Sequence, residues 1–177
     1  HKIAGLNPAP EQIARAIPAA VLAPIVVRPE GASLILTERS SRLAKHSGQV
    51  AFPGGRMDAG ETPVEAALRE AQEEIGLDPA LVTPIGFLPS YYVGTGYRII
   101  PVVGVVDPSA RLAINPDEVA RVFETPLDHL LDPERHRIES RLWQGELRHF
   151  YVIDHHEAYI WGATAALIRV LYERLGN

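Results

Sequence analysis

Cysteine is absent from the 177 residues of this chain. Its absence excludes a disulfide framework, thiolate zinc sites and a cysteine nucleophile. It is compatible with a reducing compartment, so we predict a cytoplasmic location. Long apolar runs are also missing, since no run approaches the roughly eighteen residues that a membrane span needs. Pro8 and Pro10 interrupt the opening residues before the apolar stretch of a secretory signal can form. We therefore expect neither a membrane partner nor a signal peptide.

Positive charge is scarce, with 17 Lys and Arg against 22 Asp and Glu and a formal net charge of −5. Broad nucleic-acid binding needs a basic surface, so nucleic acid is not an expected partner. The same negative charge repels phosphorylated small molecules unless a metal ion or a local basic cluster offsets it. A function on nucleotides therefore requires one of these two features.

The organisation of the chain predicts a single α/β domain over residues 1–177. No internal repeat or low-complexity tract is present, and the prolines and glycines are scattered rather than gathered in a linker. Short strand-like runs alternate with two or three helices, which is typical of a mixed α/β sandwich. The strand-like runs are 21–27, 33–37, 49–52, 85–88, 97–106 and 148–153, and the helical ones 9–17, 62–76 and 162–175. The segment 118–124 fits either a strand or a helix.

The clearest helix signal lies at 62–76. Thr62-Pro63-Val64-Glu65 forms a capping box with Pro at the first helical position, and Gly76 is a natural C-terminal stop. The helical period predicts a buried stripe of four residues. These are Val64, Leu68, Ala71 and Ile75.

Glu70, Glu73 and Glu74 lie together on a different face of this helix. Like charges four residues apart cost roughly 0.2–0.5 kcal/mol, and Arg69 relieves only part of the repulsion because it pairs with Glu73. Oxygen ligands at this spacing suit a hard divalent cation such as Mg²⁺, which also recruits phosphates. An acidic helix face is nevertheless more often plain solvated surface, so these three residues alone do not decide between the two interpretations.

The context of the glutamates favours the metal site. Gly55 is followed by five residues, Glu61, seven residues and then Arg69-Glu70-Ala71-Gln72-Glu73-Glu74-Ile75-Gly76-Leu77. This pattern resembles the Nudix box, a long motif with every fixed position met and only Ala71 small for its apolar slot. The resemblance implies a mixed β-sheet sandwiched between α-helices. It also implies hydrolysis of a nucleoside diphosphate linked to another moiety.

The resemblance also implies a metal site and roles for individual residues. Glu70, Glu73 and Glu74 would be the ligands of Mg²⁺ or Mn²⁺, joined by the Gly54 carbonyl. Arg69 would orient the glutamates, so Arg69, Glu70 and Glu74 are predicted catalytic residues, while Glu61 would tie the loop to the helix.

The general base is either a glutamate of the box or a carboxylate of a later loop. Our candidate is Glu118, in Asn115-Pro116-Asp117-Glu118-Val119. The alternative for this segment is an ordinary turn, because Asn, Pro and Asp are common turn residues.

A second motif precedes the box. Leu34-Ile35-Leu36-Thr37-Glu38-Arg39-Ser40 and Gly48-Gln49-Val50-Ala51-Phe52-Pro53-Gly54-Gly55 resemble the signature of the Nudix subgroup that cleaves coenzyme A. That resemblance implies the products 3′,5′-ADP and 4′-phosphopantetheine. The chain departs from the signature at Ala44, where the subgroup has a spaced arginine.

Coenzyme A carries a 3′-phosphate besides its pyrophosphate, so an acidic protein needs a compact basic group to bind it. Arg39, Arg42, Lys45 and His46 supply such a group directly before the box, and with Phe52 they are the predicted substrate-binding residues. The alternative is that these are solvated loop charges.

Two other functions stay open at this stage. One is a Nudix hydrolase for another nucleotide, such as ADP-ribose, a dinucleoside polyphosphate or a nucleoside triphosphate. The other is a regulatory binding module that has lost catalysis, although the intact Glu70, Glu73 and Glu74 argue against it. A homodimer is compatible with this fold, but no residue pattern predicts one.

Overall fold

The structure is a computed structural model that describes residues 1–44 and 48–176. The predicted substrate-binding residues Lys45 and His46 thus lie outside the described residues. The helices are α1 (Pro10–Arg15), α2 (Pro63–Ile75), α3 (Leu127–Leu130) and α4 (Gly162–Leu175). The strands are β1 (Ile17–Arg28), β2 (Gly31–Arg39), β3 (Val50–Ala51), β4 (Gly54–Arg56), β5 (Val82–Phe87), β6 (Tyr91–Tyr92), β7 (Tyr97–Val106), β8 (Val119–Pro126), β9 (His136–Trp143), β10 (Glu146–Ile153) and β11 (Ile160–Trp161).

The strands form two sheets. The larger has the order β3-β2-β1-β7-β5, with β4 added to β1, β6 to β7 and β8 to β2. Its β1–β7 pair is parallel, from Ile17 opposite Tyr97 to Val26 opposite Val106, whereas its other pairs are antiparallel. The smaller sheet is antiparallel, in the order β11-β10-β9. The large sheet is therefore mixed.

The large sheet is buried on both faces. Along β2, Leu34 and Leu36 belong to a hydrophobic cluster with α4, while Ile35 belongs to a second cluster with α2. Successive side chains of a strand point to opposite faces, so β2 supplies both cores at once. The predicted α/β fold, with a mixed sheet between helices, is confirmed. Across the described residues, no helix is both long and apolar enough to cross a membrane.

The signals at the two ends of α2 act as predicted. Thr62 Oγ1 accepts a hydrogen bond from the Glu65 backbone N–H at 3.2 Å. Gly76 ends the helix with φ of 65°, in the left-handed region that favours glycine. A Cβ on Gly76 would also lie 3.0 Å from the Ala113 carbonyl oxygen, so this position has a second reason for its residue.

The predicted buried stripe of α2 was wrong for Val64 and Leu68, which are only partly buried at its edges. The fully buried residues are Ala66, Ala67, Ala71 and Ile75. Three of these four are alanines, which let the helix lie close against the sheet. A prediction from hydrophobic periodicity gives Val and Leu more weight than Ala. It therefore assigned Val64 and Leu68, rather than Ala66 and Ala67, to the buried face of α2.

Candidate active site

One cavity of about 250 Å³ lies where the end of β2, the β3–β4 segment, α2 and the start of β8 meet. Six of the residues predicted from the sequence line it. They are Arg39, Phe52, Gly54, Glu70, Glu74 and Glu118. The structure thus brings residues from the Nudix-type box, the upstream motif and the later loop to one place.

The upstream motif builds one wall of this cavity. Thr37 Oγ1 donates a hydrogen bond to the Ala51 carbonyl at 3.0 Å, which fastens the end of β2 to β3. The Leu22 N–H donates to the Pro53 carbonyl at 2.8 Å and holds the segment after β3 against β1. Arg39, the last residue of β2, and the buried Phe52, the residue after β3, lie next to these bonds and line the cavity.

Gly54 and Gly55 lie so close to neighbouring atoms of β1 and α2 that neither position has room for a side chain. A Cβ on Gly54 would lie 2.4 Å from the Ala20 carbonyl oxygen. A Cβ on Gly55 would lie 2.6 Å from Glu70 Oε1, so any side chain there would displace a carboxylate that lines the cavity. The two glycines therefore allow the loop to lie directly against α2 and β1.

Glu74 is the most strongly perturbed acid in the cavity. Burial raises its pKa to about 8, helped by the negative charges of Glu70 and Glu118. A hydrogen bond from the Gly54 backbone and the positive charge of Arg39 act in the opposite direction. A cation would stabilise a cavity in which three carboxylates lie side by side.

Glu70 responds in the same way. Burial makes the largest contribution and raises the pKa of Glu70, whereas the hydrogen bond and positive charge of Arg69 lower it. Repulsion from Glu73 and Glu118 adds to the increase.

Arg69 connects the box to the loop before it. Its guanidinium donates to Glu61 at 2.5 and 3.0 Å, to Glu70 at 3.1 Å and to Glu73 at 3.3 Å. It also donates to the Arg56 carbonyl at 3.2 Å. These contacts raise the pKa of Arg69, and the hydrogen bond from Arg69 lowers that of Glu61. One guanidinium thus contacts Glu61, Glu70 and Glu73, while the orienting role of Arg69 and the tying role of Glu61 stay predictions.

Glu73 differs from the other two glutamates of the box. Its carboxylate pairs with Arg69, its side chain is half exposed, and it does not line the cavity. Its part in metal binding stays a prediction.

Glu118 reaches the cavity from the loop between β7 and β8, which packs against the end of α2. This loop caps the helix, since Ala113 N–H donates to the Ile75 carbonyl at 2.9 Å and Asn115 N–H to the Glu74 carbonyl at 2.8 Å. The Asx-type turn expected for Asn115 is present, with the Asp117 N–H donating to Asn115 Oδ1 at 3.1 Å. The turn and the site are thus compatible, because the turn directs Glu118 into the cavity. Glu118 Oε2 is buried there without a hydrogen-bond partner.

The donor set fits a hard divalent cation. Glu70, Glu74 and Glu118 supply carboxylate oxygens, the ligands that Mg²⁺ and Mn²⁺ prefer. The buried, unpaired oxygen of Glu118 is a second indication, because such an atom costs free energy unless something binds it. In the part of the chain that the structure describes, no three acidic or histidine side chains already have the arrangement of a metal centre.

The remaining predicted residue, Arg42, lies outside the cavity. Its Nη1 is 3.1 Å from Asp117 Oδ1, and both side chains are exposed. Leu43, which lines the cavity, and Asp117 as the partner of Arg42 were not predicted. Neither carries a local sequence signal, because each acquires its role through contacts between segments far apart in the chain.

Comparison with known proteins agrees with this geometry. The sequence profile of the NUDIX domain matches residues 16–144 of the chain. The chain belongs to the Nudix family. Nudix hydrolases are pyrophosphohydrolases that bind small nucleotide substrates and generally use divalent metal ions, so the enzyme class predicted from the box is confirmed.

Individual relatives extend the comparison. The chain is 43% identical over 159 residues to an uncharacterized Nudix hydrolase, NudL, of Escherichia coli strain IAI39, covering 89% of this chain and 82% of the relative. Among solved structures, it resembles the Nudix hydrolase RenU of M. smegmatis, with a TM-score of 0.56, 24% identity and coverage of 67% of this chain and 74% of that one. It also resembles a C. elegans Ap4A hydrolase, with a TM-score of 0.55, 18% identity and coverage of 62% and 80%. At these identities the two structures show the fold alone.

Proposed function

We propose that this Nudix hydrolase cleaves the pyrophosphate bond of coenzyme A. Water and coenzyme A would give 3′,5′-ADP and 4′-phosphopantetheine. One observation carries the proposal: Arg39 and Phe52 of the upstream motif line the same cavity as Glu70 and Glu74 of the Nudix box. The motif that resembles the coenzyme A signature thus contributes to the same cavity as the Nudix box, which supports a common role in binding the substrate.

Two residues that flank Arg39 in the upstream motif, Thr37 and Ser40, support the same interpretation. Thr37 is buried and ties β2 to β3. Ser40 is also buried, and its backbone N–H donates to the Glu118 carbonyl at 3.0 Å. Arg39, between them, presents a positive charge close to Glu74 inside the cavity. A guanidinium in that position suits the oxygens of a pyrophosphate.

In this proposal the ligands of Mg²⁺ or Mn²⁺ come from Glu70 and Glu74, with Glu118 beside them. Glu73 and the Gly54 carbonyl remain predicted ligands. When bound, the ion neutralises phosphoryl charge and lowers the pKa of the attacking water. Arg39 binds and orients the phosphoryl oxygens, and Arg69 keeps Glu70 in position. Glu118 accepts the proton of the water, a role that the place of its carboxylate in the cavity, beside Glu70 and Glu74, supports.

A substrate panel tests the proposed specificity. The protein is incubated with coenzyme A, ADP-ribose, NADH, diadenosine polyphosphates and dGTP, each with Mg²⁺ or Mn²⁺, and products are identified by mass. We expect 3′,5′-ADP from coenzyme A to form faster than any product of the other substrates. Preference for another nucleotide would contradict coenzyme A as the substrate while leaving the hydrolase intact. Failure to cleave any of them would favour the binding module.

Arg39→Gln probes the residue that links the two motifs. A hydrogen bond to a charged group contributes about 1.5–3 kcal/mol, so we expect kcat/KM for coenzyme A to fall roughly 10–100-fold. The exposed Arg111, outside the cavity, provides a matched control with the same loss of charge. Equal activities of Arg39→Gln and Arg111→Gln would contradict a role of Arg39 in binding the pyrophosphate.

A further inference from the structure

An ion pair lies on the rim of the cavity, outside its lining. Arg42 Nη1 and Asp117 Oδ1 are 3.1 Å apart, and their side chains are 69% and 80% exposed. The next residue after each, Leu43 and Glu118, lines the cavity. The pair therefore bridges the turn after β2 and the loop that carries Glu118, directly beside the reaction site.

The backbone around Arg42 is held in place, although its side chain is exposed. The Arg42 N–H donates to Ser40 Oγ at 3.2 Å, and Ser40 is 4% exposed. The Leu43 N–H donates to the Ser40 carbonyl at 3.3 Å. The backbone of the turn is thus fixed, and it holds the Arg42 guanidinium at the rim. Arg42 is three residues after Arg39, which lines the cavity.

The pair can exchange partners at low cost. An exposed ion pair contributes only about 0.2–1 kcal/mol, so little free energy is lost when it opens. A phosphate monoester carries a charge of about −1.5 to −2 and three acceptor oxygens, and it can bind arginine in a bidentate manner. Such a group competes better for Arg42 than a single solvated carboxylate does. A substrate without it leaves Asp117 in place.

We propose that Arg42 is a specificity-determining residue that exchanges Asp117 for a phosphate monoester of the bound substrate. The inference rests on the proposed function, in which that group is the 3′-phosphate of coenzyme A. Arg39 then serves the pyrophosphate within the cavity, and Arg42 serves the more distant phosphate at the rim.

Direct binding tests the exchange independently of hydrolysis. Calorimetry in the presence of Mg²⁺ compares 3′,5′-ADP with 5′-AMP, which lacks the 3′-phosphate. We expect the wild type to prefer 3′,5′-ADP, and Arg42→Gln to reduce this preference about tenfold or more. Asp117→Asn should strengthen 3′,5′-ADP binding roughly two- to fivefold, with a smaller gain for 5′-AMP. Arg111→Gln should leave the ratio of the two affinities unchanged.

Three results would overturn the inference: no preference of the wild type for 3′,5′-ADP, an equal loss of both ligands in Arg42→Gln, or a weaker 3′,5′-ADP complex in Asp117→Asn. Hydrolysis of coenzyme A and of its 3′-dephospho form, measured in parallel, separates this outcome from the proposed function. An unchanged ratio of their kcat/KM values in Arg42→Gln, with coenzyme A still cleaved, refutes the inference alone. Arg42-dependent binding without cleavage of coenzyme A refutes the proposed function alone.

Discussion

Glu74 occupies an environment that favours its protonated form. Burial and the neighbouring carboxylates raise its pKa from 4.5 to about 8. The folded protein therefore holds a proton at Glu74 more tightly than the unfolded chain does. This contribution to stability is fully present below pH 4.5 and is lost as the pH rises through about 8. A cation that replaces the proton would restore stability at the alkaline end.

Binding of Mg²⁺ should consequently depend on pH. An ion must displace the proton from Glu74, and each carboxyl that loses a proton contributes up to about tenfold in affinity per pH unit below its pKa. We expect the affinity measured by calorimetry to rise about tenfold from about pH 6 to about pH 7. It should level off above the pKa of Glu74, which is about 8.

Glu74→Gln should weaken Mg²⁺ binding and flatten its pH dependence, because the titrating group is removed. A wild-type affinity that stays constant over this range would show that Glu74 does not have to lose a proton when the ion binds.

The helix α2 brings the acidic residues to the cavity, and its two ends are fixed in different ways. Its start depends on neighbouring residues in the chain, through Thr62 and Glu65. Its end is fastened by the loop at 113–115, which satisfies the last carbonyls of the helix. Thr62 at the start and Gly76 at the end are local sequence signals, whereas the hydrogen bonds from the loop at 113–115 form only on folding.

Thr62→Ala should reduce stability without altering catalysis. Loss of an N-cap side chain costs about 1 kcal/mol, so we expect the free energy of unfolding in urea to fall by about that amount. Thr62→Ser keeps the cap and should resemble the wild type. Since Thr62 does not line the cavity, kcat/KM should change little. A large loss of activity with unchanged stability would instead give Thr62 a role in the site.

The elements that the sequence predicts correctly are those with a local pattern of their own, whereas most of the others depend on contacts formed by folding. The bounds of β7 and α4 follow from their sequence patterns. Of the segment left ambiguous at 118–124, all residues but Glu118 lie in the strand β8. The strand β9 was not predicted, because its largely exposed sequence shows no simple alternation. The short strand β4 exists through pairing with the distant β1, which no local pattern encodes. The strands β6 and β11 pair with the neighbouring β7 and β10, but each has only two residues, too few to show an alternation.

At the scale of the whole molecule, the candidate site joins three segments that are far apart in the chain. Glu70 and Glu74 are predictable because one continuous motif contains them, and Arg39 because a second motif does. The position of Glu118 depends on the loop that caps α2, so the sequence alone made it only a candidate. The ion pair between Arg42 and Asp117 has no sequence signal at all. A single domain over residues 1–177 and a homodimer stay predictions.

Charge also acts at this scale. The chain has a net charge of −5, and its cavity concentrates carboxylates beside Arg39. An anionic substrate is thus attracted only after an ion has offset part of this charge. Activity on coenzyme A should therefore depend on added divalent metal.

The most direct test compares coenzyme A hydrolysis by the wild type, Glu74→Gln and Glu65→Gln, with products identified by mass. Glu65 lies on the same helix but outside the cavity, so its variant removes the same charge elsewhere. We predict 3′,5′-ADP and 4′-phosphopantetheine from the wild type and Glu65→Gln. Because metal catalysis contributes several kcal/mol, Glu74→Gln should be slower by about a hundredfold or more. Equal rates for all three proteins, or intact coenzyme A with the wild type, would contradict the account.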